Sequence, residues 1–260
     1  MPIIKGLETT FNTVYSEYDR WRPTYVKELY EDIFAAKEVN ETSNVLEVGI
    51  GTGQATLPIL ETSCALTAIE LGDKLAEYSK EKFRSFNKFQ VINIAFQDYE
   101  CTPNTYDLIY SASAFHWIPE EIGYTKVYNL LKSGGVFARF ANHPYKDKLR
   151  TEIHIVFEKI YAKYMPGSLA GDEYSEENAK ERANIAKKYG FTDISYKLYH
   201  RTRTFTAEEY TLLLGTYSDH IAIEEKIRMK FFDEIRQAIN DNGGLITLYD
   251  TIDLQLARKG

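Results

Sequence analysis

The sequence predicts an α/β fold in which a mostly parallel sheet is covered by helices on both faces. Three observations lead there. Apolar runs of strand length alternate with stretches of helical periodicity from residue 24 to residue 140. Strands joined through helices call for right-handed crossovers, which make neighbouring strands parallel. One of the runs, Val45-Leu46-Glu47-Val48, passes directly into glycines and then into a second helix.

The elements follow in order. Val26, Leu29, Tyr30, Ile33 and Phe34 recur at helical spacing and predict a helix over 24–37. A short buried strand over 44–48 follows, and a helix beginning near Gln54 carries Leu57, Ile59 and Leu60. Strand two is expected over 64–70, with a helix over 73–86 behind it. Val91, Ile92 and Ile94 mark strand three over 89–95. Strand four covers 106–111, and the helix over 119–131 is stopped by Ser133-Gly134-Gly135, since glycine takes a left-handed C-terminal conformation at little steric cost. Strand five is 136–140. Beyond Asn142, helices are expected over 145–165 and 175–189, separated by Pro166-Gly167-Ser168, the second capped by Gly190. A strand over 194–199, helices over 207–217 and 222–239, a turn at Asn240-Asp241-Asn242-Gly243-Gly244 and a last strand over 245–256 complete the chain. No repeat, linker or low-complexity tract interrupts it, so 1–260 reads as one domain.

Composition narrows the function. Lys and Arg number 31 against 38 Asp and Glu, a formal charge of -7. An acidic surface disfavours nucleic acid, because phosphate neutralisation supplies most non-specific affinity for it. Cys64 and Cys101 form no metal-ligand spacing and read as small buried apolar residues, so no metal is expected. The N-terminus lacks the pattern of a signal peptide and no apolar run has spanning length, so no membrane partner is expected and a cytoplasmic location is. The sequence leaves the oligomeric state open.

The strongest chemical signal is Val45-Leu46-Glu47-Val48-Gly49-Ile50-Gly51-Thr52-Gly53-Gln54. A strand entering glycines ahead of a helix lets a ligand approach bare backbone. Its register argues against two common cofactors. A dinucleotide site needs Gly-x-Gly-x-x-Gly, but the third position falls on Gln54 or Thr56, and no Lys-Ser/Thr pair follows as a P-loop would require. Ligands of such sheets bind beyond the carboxyl ends of the strands, so site residues should follow strands one to four. Asp107, at the start of strand four, falls at the opposite end and reads as structural.

With an acid ahead of Gly-x-Gly on a hydrophobic strand, the chain resembles the class I S-adenosylmethionine-dependent methyltransferases. Within them it looks most like the small-molecule branch of trans-aconitate methyltransferase-like proteins. The likeness is carried by Tyr18-Asp19-Arg20-Trp21-Arg22-Pro23, residues 47–56, Thr67-Ala68-Ile69-Glu70, Ala95-Phe96-Gln97-Asp98 and residues 111–117. Ile50 departs from it, standing where many relatives carry Cys or Ala. The resemblance implies a Rossmann-like methyltransferase fold: a seven-stranded sheet with its last strand antiparallel and a helical insertion after strand five. It further implies an N-terminal helical cofactor cover (1–43), a cofactor-binding core (44–142), an acceptor-side insertion (143–192) and C-terminal elements completing the sheet (193–260).

The implied cofactor is S-adenosyl-L-methionine, leaving as S-adenosyl-L-homocysteine. Residues expected to bind it are Tyr18, Arg22, Glu47, Gly49, Gly51, Gly53, Gln54, Glu70, Leu71, Gln97, Asp98 and Ser113. Glu70 ends strand two near the separation at which an acid reaches an adenosine ribose, where one carboxylate can accept from both hydroxyls. Asp98 either accepts the adenine amino group or caps a turn, with Gln97 the neighbouring candidate. His116 is the histidine expected where cofactor and acceptor meet, either as a general base or as a backbone-bonded structural residue. Tyr15, Arg20, His116, Trp117, Asn142 and Tyr217 are the expected acceptor contacts, and His220 is a further guess at the lining. The N-terminal run carries the aromatics Phe11, Tyr15, Tyr18, Trp21 and Tyr25 with Arg20 and Arg22 between them, and an arginine there suits a carboxylate of the cofactor or of an acidic acceptor. The expected reaction is methyl transfer to a small molecule, a carboxylic acid among the candidates. Two other readings stand beside it: an NAD(P)-dependent oxidoreductase and a non-catalytic S-adenosylmethionine-binding protein.

Overall fold

The computed structural model describes residues 15–167 and 171–260. Phe11, in the N-terminal aromatic run, and Ser168, in the expected breaker, fall outside them. Two helices, α1 (Tyr15–Trp21) and α2 (Lys27–Ala36), precede the sheet. Five strands then alternate with helices: β1 (Asn44–Val48), α3 (Leu57–Leu60), β2 (Ala65–Glu70), α4 (Asp73–Lys82), β3 (Phe89–Asn93), β4 (Tyr106–Ala112), α5 (Glu120–Leu130) and β5 (Leu131–Tyr145). Short 3-10 turns at Phe96–Asp98 and Phe115–Trp117 follow β3 and β4. The remaining elements are α6 (Thr151–Tyr164), α7 (Glu176–Asn184) with a 3-10 turn at Ile185–Tyr189, β6 (Phe191–Thr206), α8 (Ala207–Leu214), α9 (Ser218–Ile221), α10 (Glu225–Asp241) and β7 (Leu245–Lys259).

The strands form one seven-stranded sheet in the order β3-β2-β1-β4-β5-β7-β6. Strands β1 to β5 run parallel, and β7 enters antiparallel between β5 and β6. The chain moves outward from β1 to β3, then returns to β4 on the other side of β1. A crevice therefore opens at the carboxyl ends of β1 and β4, where the crossovers diverge.

Several boundaries differ from the sequence expectation, and β7 explains most of them. β5 runs on to Tyr145, and β6 from Phe191 to Thr206, because the antiparallel β7 pairs with β5 from Val136 to Tyr145 and with β6 from end to end. The helix expected from residue 145 begins at Thr151: the pairing takes Tyr145, and residues 146–150 form a turn in which Asp147 Oδ1 accepts from the Leu149 N–H. Gly134 is left-handed (φ 73°) as expected, but α5 has already ended at Leu130. The glycines lie instead in an irregular part of β5, where the pairing with β4 slips between Tyr106 and Leu108. The helix expected from Gln54 is reduced to α3.

Apolar residues are buried on both faces of the sheet. Leu29, Ile33, Ile59 and Tyr110 pack in one core; Ile69, Phe115, Val127 and Phe137 pack in the other. A third core joins α6, α8 and α10 over the ends of β6 and β7, through residues such as Phe157, Leu213, Phe231 and Leu248. The expected insertion over 143–192 is thus divided: α6 belongs to this helical cap, while α7 lies against β6 and β7. Among the described residues no helix is long and apolar enough to cross a membrane, and no group of three or more His, Cys, Asp or Glu could hold a metal ion.

Candidate active site

A cavity of about 480 Å³ occupies the crevice, within the roughly 300–1,000 Å³ typical of small-molecule sites. Its floor is the loop after β1. Gly51 is left-handed (φ 57°), and a Cβ there would meet only Tyr18, at 3.8 Å, so bare backbone faces the cavity. Gly53 has a different reason to be glycine. It does not line the cavity, and a Cβ there would fall 2.3 Å from the Phe83 ring, so packing against α4's C-terminal end requires it.

Two carboxylates flank this loop. Glu70, buried at the end of β2, accepts from the Gly51 N–H through Oε2 at 2.8 Å and from the Gly72 N–H through Oε1 at 2.9 Å. Burial raises its pKa above the usual carboxylate range, against backbone hydrogen bonds that lower it. The Leu71 backbone also hydrogen-bonds this carboxylate, so three of its roughly four lone-pair positions are used and one remains for another donor. Glu47, on β1, accepts through Oε2 from the Thr56 and Tyr110 hydroxyls, each at 2.8 Å. Its Oε1 is buried without a partner among the described residues, and burial pushes its pKa up to about 8.

The N-terminal segment crosses the cavity. No residue of α1 is fully buried; Trp21 packs against the cap core and polar ties hold the rest. Asp19 accepts from the Tyr78 hydroxyl at 2.8 Å and from Lys82 Nζ at 2.5 Å, and Lys82 also donates to the Thr52 carbonyl at 2.9 Å. On the other side, Arg22 Nη2 donates to the Thr216 carbonyl at 2.7 Å. The Arg22 guanidinium lies between the rings of Tyr18 and Tyr217, at 5.0 and 4.1 Å, and its Nε is buried without a partner among the described residues.

The loop after β4 forms the remaining wall. Ser113 is held left-handed (φ 53°), its N–H donating to the Phe140 carbonyl at 2.8 Å. Its Oγ meets the Tyr25 hydroxyl at 2.8 Å and the Asn142 N–H at 3.4 Å. Arg201 Nη2 donates to Asn142 Oδ1 at 3.0 Å. A guanidinium only donates, so it fixes the amide's orientation and leaves Nδ2 free to face another acceptor.

The methyltransferase-domain family model matches residues 45–135, which span β1 to the start of β5. An uncharacterized methyltransferase of Schizosaccharomyces pombe is 25% identical over 241 residues, 88% of each chain. One of Bacillus mycoides is 31% identical over 157 residues, covering 54% of this chain and 73% of the relative. The chain belongs to the class I methyltransferases. Solved structures show the same fold. A protein from Anaeromyxobacter dehalogenans described as a type II methyltransferase superposes with a TM-score of 0.64 at 17% identity, over 91% of this chain and 97% of its own. A phosphoethanolamine N-methyltransferase 2 of Haemonchus contortus, in complex with phosphomonomethylethanolamine and S-adenosylhomocysteine, has a TM-score of 0.56 at 14% identity. It is matched over 100% of this chain and 61% of its own.

In this methyltransferase the cavity gathers most of the residues expected from sequence. Tyr18, Arg22, Glu47, Gly49, Gly51, Gln54, Glu70, Leu71, Gln97 and Ser113 line it, as do Trp117, Asn142 and Tyr217. Ile50 is buried in the core and borders it too. Six residues lie elsewhere. Gly53 packs on Phe83 as described; Asp98 is exposed on the 3-10 turn after β3, electrostatically facing Lys126. Tyr15 rests against Tyr78 with ring centroids 5.5 Å apart, and Arg20 sits over the Trp21 ring at 5.2 Å. His116 is exposed on the turn after β4, outside the lining, because that turn directs Phe115 into the core and Trp117 to the cavity. Although its ring reaches solvent, the surrounding protein and then Arg182 and Arg139 push its pKa down to about 4. His220 is buried among Tyr161, Phe231 and Phe232 in the cap, not in the cavity wall.

Sequence reasoning passed over Tyr25 and Arg201. Tyr25 was visible only as one of several N-terminal aromatics, and nothing local links Arg201 to Asn142, 59 residues away.

Proposed function

We propose that this methyltransferase uses S-adenosylmethionine to methylate a small-molecule acceptor, a carboxylic acid being the class its donor-rich acceptor wall favours. One observation carries the reading: the Glu70 carboxylate, which keeps an acceptor position, and the unpartnered Glu47 Oε1 both border the open Gly51 backbone. These groups fit the cofactor. Glu70 would accept from the ribose hydroxyls, and Glu47 Oε1 would accept from the ammonium of the methionine end. Gly51 would let the cofactor lie against backbone, and Tyr18 and Arg22 would cover it. Gln97 and Leu71 stand where the adenine would lie.

When bound, the sulfonium supplies an already activated methyl group, so alignment and exclusion of water are the protein's main tasks. Trp117, Asn142 and Tyr217 would form the acceptor side, with Asn142 Nδ2 donating to an acceptor oxygen. A carboxylate nucleophile needs no general base, which agrees with His116 standing outside the lining. The N-terminal Tyr18-to-Pro23 run keeps the likeness to trans-aconitate methyltransferase-like proteins within this proposal.

Calorimetry with S-adenosylhomocysteine tests it. The parent protein should bind, and Glu70→Ala should bind at least tenfold more weakly, a loss of about 1.4 kcal/mol. Equal binding by both, or stabilisation by NADPH instead, overturns the assignment.

A further inference from the structure

A second polar cluster lies beside the cavity, on the face of the sheet covered by α5 and α7. Arg139 of β5 projects there, and its cross-strand neighbour on β7 is Gln255. Arg139 Nη1 donates to the Tyr124 hydroxyl at 2.9 Å, and the guanidinium sits 5.4 Å from the centre of the Phe115 ring. Its Nε is buried without a partner among the described residues, and so is Gln255 Oε1. Arg182 of α7 reaches the same place, close to the Tyr174 hydroxyl. Among the described residues neither arginine takes part in an ion pair.

The carboxylate that interacts electrostatically with both is Asp253, and its hydrogen-bonding capacity is already used. Its Oδ1 accepts from the Ala141 N–H at 3.0 Å and from His143 Nε2 at 2.8 Å; its Oδ2 accepts from the Tyr174 hydroxyl at 3.0 Å and from the Gln255 amide. A carboxylate has about four lone-pair positions, so none remains for a guanidinium. Two cations therefore face one fully used anion in a partly buried place, and a buried donor stays unmet at a cost of about 1–3 kcal/mol. The cluster is reachable from outside, since Arg182 is half-buried and His116 beside it is exposed. It also adjoins the acceptor end of the cavity: the His116 ring, which Arg182 and Arg139 face electrostatically, lies 4.9 Å from the ring of Trp117, and Trp117 lines the cavity.

We infer that Arg139 and Arg182 form an anion subsite that holds a carboxylate or phosphate group of the acceptor. The role as acceptor subsite rests on the methyltransferase reading above; the anion binding itself does not. Burial lowers the pKa of His116 first, and the positive charges of Arg182 and Arg139 lower it further.

The test titrates the protein, with and without saturating S-adenosylhomocysteine, with succinate and separately with inorganic phosphate. It follows the His116 ring signal by NMR (assigned by its loss in His116→Gln) together with the unfolding midpoint. At least one anion should move the signal and raise the midpoint, and binding should weaken at least fivefold in Arg182→Gln. Arg139→Lys, which keeps a charge in the buried position, guards against a variant that fails to fold and should weaken binding similarly. A response to succinate alone assigns a carboxylate, and to phosphate alone a phosphate ester. No response to either, or responses unchanged in both variants, overturns the subsite and leaves a water joining Arg139 and Gln255 as the explanation of the cluster. Anion binding without any binding of S-adenosylhomocysteine would defeat the cofactor reading but not the anion site.

Discussion

At the scale of single residues, Glu47 shows how position in the fold changes a side chain's chemistry. In the sequence it is an acid before a glycine loop; in the structure it is a carboxyl group buried on a central strand with one oxygen unmet. Burial raises its pKa from 4.5 to about 8. A raised folded-state pKa means that the native protein holds the proton after the unfolded chain has lost it. Glu47 should therefore erode stability as pH rises from about 4.5 to about 8. The unliganded protein's unfolding midpoint should fall across this window, and Glu47→Gln, which does not titrate, should flatten the slope. A slope unchanged by the substitution would mean that Glu47 is ionised throughout. Gly53 carries the opposite lesson. Alternating glycines looked like a single ligand-facing feature, yet a Phe83 ring occupies the space a side chain at Gly53 would need. Spacing along the chain does not separate a glycine kept for a ligand from one kept for packing.

Elements were readable where local chemistry shapes them. Thr206 precedes α8 with Glu209 three residues on, and both halves of the capping box form: Thr206 Oγ1 accepts from the Glu209 N–H, and the Glu209 side chain accepts from the Thr206 N–H. Thr206→Ala should cost about 1 kcal/mol, measured by denaturant unfolding, with no change in cofactor binding. A cost near zero would show that cap packing alone sets the start of α8. By contrast, α1 has no fully buried residue and only Trp21 packs on the cap core, so apolar spacing says little about what holds it. Asp19 and Arg22 pin it from opposite sides, to Tyr78 and Lys82 and to Thr216. Lengths were least readable for β5 and β6. Their ends are set by β7, an antiparallel partner far along the chain, and no periodicity within either strand records that.

Across the whole molecule, one buried charge ties the sheet to the cavity wall. Asp250 of β7 is fully buried and accepts from Arg203 Nε at 2.5 Å and Nη2 at 3.0 Å, and from Arg201 Nε at 3.0 Å. Arg201 also donates to the Thr24 carbonyl at 2.6 Å and to Asn142, linking β6 and β7 to the N-terminal segment and to the acceptor wall. Asp250→Ala would leave two mostly buried guanidinium groups without their anion. The expected loss is about 3–5 kcal/mol of unfolding free energy, since breaking a buried pair strands its partner. A loss under 1 kcal/mol would show that water replaces the carboxylate. Because Asn142 is held through Arg201, the surviving folded protein should also bind acceptor less well.

The parts of this protein that depend on neighbours in sequence were available from the sequence alone. The parallel core, the glycine loop and the placement of Glu47, Glu70, Gln97 and Ser113 at strand ends follow from periodicity, backbone sterics and the rule that such sheets bind ligands at their carboxyl edge. Folding in three dimensions was needed for the rest: the helical cap that α6 shares with α8 and α10, the Tyr25–Ser113 contact across 88 residues, the grip of Arg201 on Asn142 and the meeting of Arg139 with Arg182. The physical reason is one of range. Hydrogen-bond patterns within an element repeat over a few residues and leave their period in the chain. Contacts between distant side chains arise only after packing has brought their strands and helices together.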